Sequence, residues 1–196
     1  MFELAHTSSP WDWCYSSRAI SESPVNGMNQ SELIRLLDST ILSWNAREIR
    51  PSHIYSIIDL VNQRIKALKI TWLNRESLPI CYFSSLQTIG ALMTKAYLET
   101  HNIATSFQGI SSEDDLKLLI NKWKIEQPRA IIFSFSSFQY INLVQTYVPQ
   151  LRSLTNKAFA GGLIFSLDKS LMKHFPGFYF PPDLPSLIES IVKEDK

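Results

Sequence analysis

The stretch from Pro79 to Gly90 constrains the fold of this chain more than any other. It joins a short apolar run at Ile80–Phe83 to two serines, a turn and a helix expected to begin at about Leu86. A strand that leads directly into a helix is the repeating unit of an open α/β sheet, and its loop lies at the carboxyl edge, where ligands bind. The stretch therefore predicts an α/β fold with a candidate site in its first loop.

The same alternation of apolar strands and amphipathic helices continues to the end of the chain. Further strands are predicted at Ile103–Phe107, Ala130–Phe133 and Ala158–Ala160, with a short fifth strand at Phe178–Phe180. Single helices between strands indicate parallel pairing with crossover connections. The pattern predicts a flavodoxin-like doubly wound sheet of about five parallel strands, for which 2-1-3-4-5 is the usual strand order.

Helix signals fill the gaps between these strands. Ser112 is followed by three acids, which is a strong helix start because serine caps the first turn and acids face the positive end of the helix dipole. Pro128 is expected to end that helix. Residues 143–151 are expected to form a single helix, the third of the α/β domain. A last helix is expected to begin at Asp183 or Pro185.

A helical segment precedes the α/β domain. Ser31 is the expected N-cap of its first helix, and Pro51 marks the first turn of the second. An apolar stripe from Ile54 to Trp72 follows helical spacing along the second helix. Two such helices cannot bury both stripes alone, so we expect them to pack on the following domain or on a second copy of the chain.

Three segments are therefore expected: an arm at 1–30, a helical segment of two helices at 31–75, and an α/β domain at 78–194. Large aromatic side chains in the first two segments have much surface to bury. Either the arm packs on the domain's own surface, or these residues contact a protein partner or a second copy. The candidate partner-contact residues are Trp11, Trp13, Trp44 and Trp72.

Charge and composition narrow the functional classes. The net charge is +1 with mixed signs, which gives no electrostatic basis for direct nucleic-acid binding. No apolar run approaches the ~20 residues needed to span a bilayer. Cys14 and Cys81 are too few for a disulfide framework or a zinc site. We therefore expect a cytoplasmic protein of a reducing compartment.

Small polar residues follow three of the predicted strands at one edge of the sheet. Hydroxyl groups can hold a polar part of a ligand, and glycines allow it to approach closely. Any one such residue is common in a turn, but three loops at one edge favour a pocket. The candidate ligand-binding residues are Ser84, Ser85, Gln87, Gly90, Ser134, Ser136, Gly161 and Gly162.

Several kinds of catalytic site are missing from the sequence. The strand ends lack the acids of a response-regulator receiver. Neither a phosphate loop nor a Gly-x-Gly-x-x-Gly or Gly-x-Ser-x-Gly motif is present. No His-x-x-x-His or Cys-x-x-Cys pair suggests a metal. With neither an acid–base pair nor an activated nucleophile in view, an enzyme is not expected.

The three loops carry a family resemblance. The first loop is Ser85-Leu86-Gln87-Thr88-Ile89-Gly90, the turn after the third strand is Ser134-Phe135-Ser136, and the turn after the fourth is Ala160-Gly161-Gly162. In these loops residues 78–194 resemble the cobalamin-binding domain family, whose first loop is Asp-x-His-x-x-Gly. The segment Gly90-Ala91-Leu92-Met93 is similar to the photoreceptor and regulator branch, and the preceding helices resemble a shortened form of the family's helical cap.

The first loop departs from the family motif at two positions. Gln87 occupies the place of the histidine that ligates cobalt, and Ser85 occupies the place of the aspartate that orients it. Without that pair the histidine-on form of cobalamin is not expected here. The resemblance then implies cobalamin with its own base attached, another tetrapyrrole such as haem, a different flat ligand, or no cofactor.

The resemblance also implies a kind of function. Relatives of this domain sense light, oxygen or redox state within transcriptional control. The expectation is a non-catalytic sensory or regulatory protein with a degenerate cobalamin-binding-like domain that acts through a protein partner. The alternatives are a ligand-free interaction scaffold or dimerisation module, and a haem or base-on cobalamin sensor. A corrinoid-dependent enzyme subunit is disfavoured by the missing histidine.

Overall fold

A computed structural model describes residues 24–73, 76–83 and 87–193. The chain separates into two compact units, Met1–Ile70 and Thr71–Lys196. Each is described by itself below. Among the described residues, no helix combines the length and the apolar character that a bilayer crossing requires.

The described part of the first unit is helical. A short 3-10 helix at Pro24–Gly27 precedes α1 (Gln30–Asn45). Asn29 caps α1: its side-chain oxygen accepts from the Glu32 backbone N–H at 3.1 Å, while Glu32 accepts from the Asn29 N–H at 2.7 Å. The prediction of Ser31 as the N-cap is therefore wrong, because this reciprocal pair begins the helix two residues earlier.

The second helix of this unit, α2 (Pro51–Ala67), has proline in its first turn, as predicted. Its apolar stripe is buried from Ile54 to Ile65. The predicted extension of the stripe to Trp72 is wrong, because Lys69 adopts a left-handed backbone (φ +48°) that ends the helical path. Trp72 consequently lies beyond the helix, with 42% of its surface exposed.

The second unit alternates strands and helices throughout. Its strands are β1 (Leu78–Tyr82), β2 (Thr105–Gly109), β3 (Ala130–Ser134) and β4 (Lys157–Gly161). Its helices are α3 (Ile89–Thr100), α4 (Glu113–Glu126), α5 (Gln139–Gln145), α6 (Val148–Leu154), α7 (Leu163–Leu167) and α8 (Leu184–Val192), with a 3-10 helix at Lys169–His174.

The four strands form one parallel sheet in the order β2-β1-β3-β4. This confirms the flavodoxin-like α/β fold. The predicted fifth strand is reduced to a single parallel bridge between Phe159 and Tyr179. Because that bridge lies beside β4, the segment occupies the place of a fifth strand without forming a ladder.

Both faces of the sheet are covered, as a parallel sheet requires. Residues of α3 and α8, such as Leu98 and Leu187, share one core cluster with Ile80 and Ile132 of the strands. On the other face, α4 to α7 pack against a second cluster that includes Phe133. All five residues of β3 are buried, so this strand is central.

Two helix boundaries differ from the predictions. α3 begins at Ile89 because Thr88 caps it, its hydroxyl accepting from the Ala91 N–H at 3.3 Å. The single helix predicted at 143–151 is two helices, α5 and α6. Pro149 lies in the first turn of α6, where a continuous helix would lose a hydrogen bond and clash with the preceding turn.

The predicted start of α4 at Ser112 is confirmed. The Ser112 hydroxyl accepts from the Asp115 N–H at 3.2 Å, and Asp115 in turn accepts from the Ser112 N–H at 2.9 Å. Asp115 also accepts from the Ser111 hydroxyl at 2.8 Å and the Ser111 N–H at 3.0 Å. These hydrogen bonds, led by that of the Ser111 side chain, lower the pKa of Asp115 from 3.8 to about 2.

Asp115 is expected to give the unfolding free energy a defined pH dependence. Because its pKa is lower in the folded state, its contribution is complete above pH 3.8 and is lost as the pH falls through about 2. Asp115→Asn should therefore be less stable than the parent at neutral pH, and the difference should shrink in that acidic window. Urea unfolding measured across this pH range tests this. Asp114→Asn on the same turn is the control, and a difference independent of pH would contradict the prediction.

Candidate functional site

The carboxyl edge of the sheet ends in a row of four residues. In register across the strands, Gly109 pairs with Tyr82, Tyr82 with Ser134, and Ser134 with Gly161. Paired residues of parallel strands face the same side, so the row faces α3 and α8. It consists of two glycines at the ends with a tyrosine and a serine between them. This row forms the floor of the candidate site.

Ser134 is the polar centre of the floor. Only 7% of its surface is exposed. Within the described residues its hydroxyl has no hydrogen-bond partner. The hydroxyl oxygen is not sealed in the interior, so it can exchange hydrogen bonds with water or with a ligand.

Two glycines keep the space around Ser134 open. Among the described residues, a Cβ on Gly161 would have no heavy atom within 4 Å, and a Cβ on Gly90 would meet only the Ser134 Oγ, at 3.6 Å. Gly90 lies in the first turn of α3, directly across from Ser134. These three predicted residues therefore border one open volume. We call the surface formed by Gly90, Ser134 and Gly161 the shelf.

Tyr82 bounds the shelf on the β1 side, a role that we did not predict. Its ring stacks on Phe107 with centroids 4.6 Å apart, and a Cβ on Gly109 would lie 2.9 Å from its hydroxyl oxygen. The ring therefore leans over β2 and away from Ser134. The period of two along β1, which places Ile80 and Tyr82 on one face, was the available signal for this position.

The opposite face of the same edge is filled with aromatic rings. Phe83 and Phe135, the residues that follow β1 and β3, stack with centroids 4.4 Å apart. Phe135 also contacts Phe165 at 5.6 Å and Phe175 at 5.3 Å. All four rings are buried. The open volume at the carboxyl edge therefore lies on the α3 side of the sheet.

Gly162 has a different environment from Gly161. Its backbone has φ +116° and ψ 169°, a region that is almost exclusive to glycine. A Cβ there would lie 2.1 Å from the Phe135 carbonyl oxygen. The Phe135 N–H donates to the Gly161 carbonyl oxygen at 2.9 Å, which holds the two loops together. Gly162 thus permits the close approach of the β3 and β4 loops.

The other predicted site residues are exposed in loops or lie outside the described residues. Gln87 is exposed just before the Thr88 cap, and Ser136 is exposed in the loop after β3. Ser84 and Ser85 lie outside the described residues.

The described titratable groups of this unit are scattered or paired mostly within single elements. Among the described residues, no group of three or more histidine, cysteine, aspartate or glutamate side chains could hold an ion. Cys81 on β1 is fully buried, and burial raises the pKa of its thiol, which disfavours the reactive thiolate. His101 lies at the end of α3, where its Nδ1 is 2.8 Å from the Tyr97 carbonyl oxygen.

The tryptophans predicted to contact a partner are described only in part. Trp44 lies in the last turn of α1 and is 38% exposed, and Trp72 in the second unit is 42% exposed. Trp11 and Trp13 lie outside the described residues.

Comparison with known proteins identifies the fold. No family model and no curated protein sequence matches the chain. Among solved structures, it is similar to a novel cobalamin-binding protein from Desulfitobacterium hafniense DCB-2, with 14% sequence identity and a TM-score of 0.59. The match covers 90% of this chain and 89% of that chain. At this identity the likeness establishes a cobalamin-binding-like fold and nothing finer.

Proposed function

We propose that the second unit binds a corrinoid on the shelf without a protein histidine on the metal, and that the chain acts as a non-catalytic sensor or regulator through a protein partner. The observation that carries the proposal is the Ser134 hydroxyl, which has no partner among the described residues and is accessible beside Gly90 and Gly161. The cobalamin-binding-like fold supports the same ligand class.

The chemistry of the shelf favours a corrinoid over haem. A corrinoid carries neutral amide side chains, which a serine hydroxyl can bind as donor or acceptor. Haem carries two propionate groups, and proteins commonly hold these with cations. The shelf and its neighbour Tyr82 contribute hydroxyls and glycines, with no Lys or Arg among those four residues. When bound, the corrinoid would supply a light- or redox-sensitive metal centre.

Base-on binding follows from the first loop. Gln87 is exposed on the approach to α3, and a glutamine amide is a poor ligand for cobalt. The corrinoid's own base would then keep its place on the metal. Ser134, Gly161 and Gly90 would bind and position the ligand.

Titration of the full chain with hydroxocobalamin and with haem tests this proposal. We expect saturable binding of hydroxocobalamin by calorimetry, a visible spectrum that keeps its base-on form, and weaker binding of haem. Gly161→Leu should weaken cobalamin binding at least tenfold by filling the shelf. Ser134→Ala should weaken it about tenfold while leaving stability nearly unchanged, because the hydroxyl makes no hydrogen bond with a described residue.

Gly27→Leu is the matched control, because a Cβ at Gly27 also has no heavy atom within 4 Å. It should bind like the parent. If the parent binds neither ligand, the ligand-free scaffold becomes the better interpretation. If Gly161→Leu and the parent bind hydroxocobalamin with equal affinity, the shelf is not the binding site.

The regulatory part of the proposal is supported by the exposed aromatics. Trp44 and Trp72 present large apolar surfaces of the kind enriched at protein interfaces. Sedimentation of the full chain with and without hydroxocobalamin provides the second readout. A ligand-dependent change in association state would support a switch, whereas a chain that stays monomeric in both states would exclude regulation through self-association.

A further inference from the structure

Gly109 is the last residue of β2 and lies beside the shelf, at the end of the floor. In register across the strands it pairs with Tyr82, and Phe107 pairs with Ile80, so these residues share the α3 face of the sheet. A Cβ on Gly109 would lie 2.9 Å from the Tyr82 hydroxyl oxygen and 3.0 Å from its Cζ. The tyrosine ring therefore occupies the space that a side chain at position 109 would fill.

The backbone does not require a glycine at this position. Gly109 lacks the positive φ that Gly162 and Gly177 have. It ends a regular strand, where β-branched side chains are usually favoured. The three nearest heavy atoms to a Cβ placed there all belong to Tyr82. The feature that excludes a side chain from position 109 is therefore the Tyr82 ring.

Packing holds the Tyr82 ring in this place. The ring stacks on Phe107 with centroids 4.6 Å apart and planes inclined at 27°. Its hydroxyl makes no hydrogen bond with another described residue, and the side chain is only partly buried. Because side chains move between discrete staggered rotamers, the ring can take another one if its place over β2 is filled.

The other direction across the sheet leads onto the shelf. β1 lies between β2 and β3, and Tyr82 is in register with Ser134 on the β3 side. Both Ser134 and Gly161 are small, and a Cβ on Gly161 would meet no described residue within 4 Å. A ring turned away from Gly109 would therefore cover Ser134 and fill the volume beside it.

We propose that Gly109 is a positioning residue, which keeps the shelf open by giving the Tyr82 ring a place over β2. The inference rests on the proposed function, because it takes the shelf as the ligand site. It adds a determinant of binding that lies outside the shelf. The size of the side chain at position 109 decides whether the Tyr82 ring leaves Ser134 accessible to a ligand.

A thermodynamic cycle on the full chain tests whether Gly109 acts through Tyr82. Gly109→Val should weaken the binding of hydroxocobalamin about tenfold in calorimetry, because the valine methyl groups turn the ring onto Ser134. In the Tyr82→Ala background the same substitution should change the affinity less than about twofold. Gln108→Val is the matched control: it makes the preceding residue of β2 a valine, but that residue faces the other side of the sheet. It should bind like the parent.

Fluorine NMR measures the position of the ring without any ligand. Tyrosines are labelled as 3-fluorotyrosine, and the Tyr82 resonance is identified by its loss in Tyr82→Phe. We expect this resonance to shift in Gly109→Val, because the ring leaves its stack on Phe107, and to stay unchanged in Gln108→Val. Circular dichroism checks that the variants fold. Gly109→Ala adds only the Cβ, should show smaller changes of the same sign, and replaces the valine variant if valine impairs folding.

The two readouts separate this inference from the proposed function. An unchanged Tyr82 resonance in the Gly109 variants would overturn the inference. So would an equal loss of affinity with and without the Tyr82 ring. If the parent does not bind hydroxocobalamin, the proposed function fails, while the fluorine spectra still decide whether Gly109 positions Tyr82.

Discussion

Replacing Gly162 with alanine is expected to lower the free energy of unfolding by about 3–5 kcal/mol. The backbone conformation at Gly162 costs any other residue about 1–3 kcal/mol. The new Cβ would also lie 2.1 Å from the Phe135 carbonyl oxygen, a backbone atom that cannot rotate away. One of the two loops would have to move, and the hydrogen bond from the Phe135 N–H to the Gly161 carbonyl oxygen would weaken. Urea unfolding followed by circular dichroism measures the loss.

Gly161→Ala is the matched control for this prediction. It is the neighbouring glycine of the same turn, a Cβ there meets no described residue within 4 Å, and its φ is not positive. We expect a change of less than about 1 kcal/mol, in either direction. Similar losses in the two variants would show that the close approach at Gly162 does not govern the stability of this edge.

The architecture of the second unit could be predicted because its signals are local and strong. β3 is buried along its whole length, and a run of apolar residues between a proline and two serines specifies such a strand without further information. The start of α4 was equally clear, since Ser112 and the acids after it supply both halves of the cap. The observed strand order agrees with the usual order for this fold, which parallel pairing alone does not specify.

Helix boundaries were missed where two local signals compete. Asn29 and Ser31 are both good caps, and only Asn29 has a glutamate three residues later to complete the reciprocal pair. At Pro149 the helical spacing of apolar residues continues across the proline, so the sequence pattern does not show the break between α5 and α6. The end of α2 has no such explanation, because neither glycine nor proline marks the left-handed backbone at Lys69.

The residues of the shelf could be predicted from the sequence, but their positions around the open volume could not. Ser134 and Ser136 have the same spacing as residues of one strand face, yet β3 ends at Ser134 and Ser136 is exposed in the loop beyond. Gly161 and Gly162 look equivalent in the sequence, while one borders open space and the other touches backbone. Those differences depend on where Tyr82 and Phe135 lie in three dimensions.

Phe135→Ala is expected to destabilise the second unit by about 3–5 kcal/mol, the usual cost of removing a buried phenylalanine ring. The ring is fully buried and contacts four others: Phe83, Phe133, Phe165 and Phe175. Its loss would leave a cavity between Phe83 and helix α7. Because these rings fill the face opposite the shelf, the variant should also expose apolar surface at the carboxyl edge.

Phe138→Ala is the control for Phe135→Ala, because it also removes a phenylalanine ring but does not remove buried packing. Phe138 lies in the same loop, but 51% of its surface is exposed, so we expect a change below about 1 kcal/mol. Urea unfolding of both variants, with binding of a hydrophobic dye as a second readout, compares them directly. Equal stability of the two variants would mean that the aromatic cluster does not hold this face closed. The inference that the open volume lies only on the α3 side would then lose its structural basis.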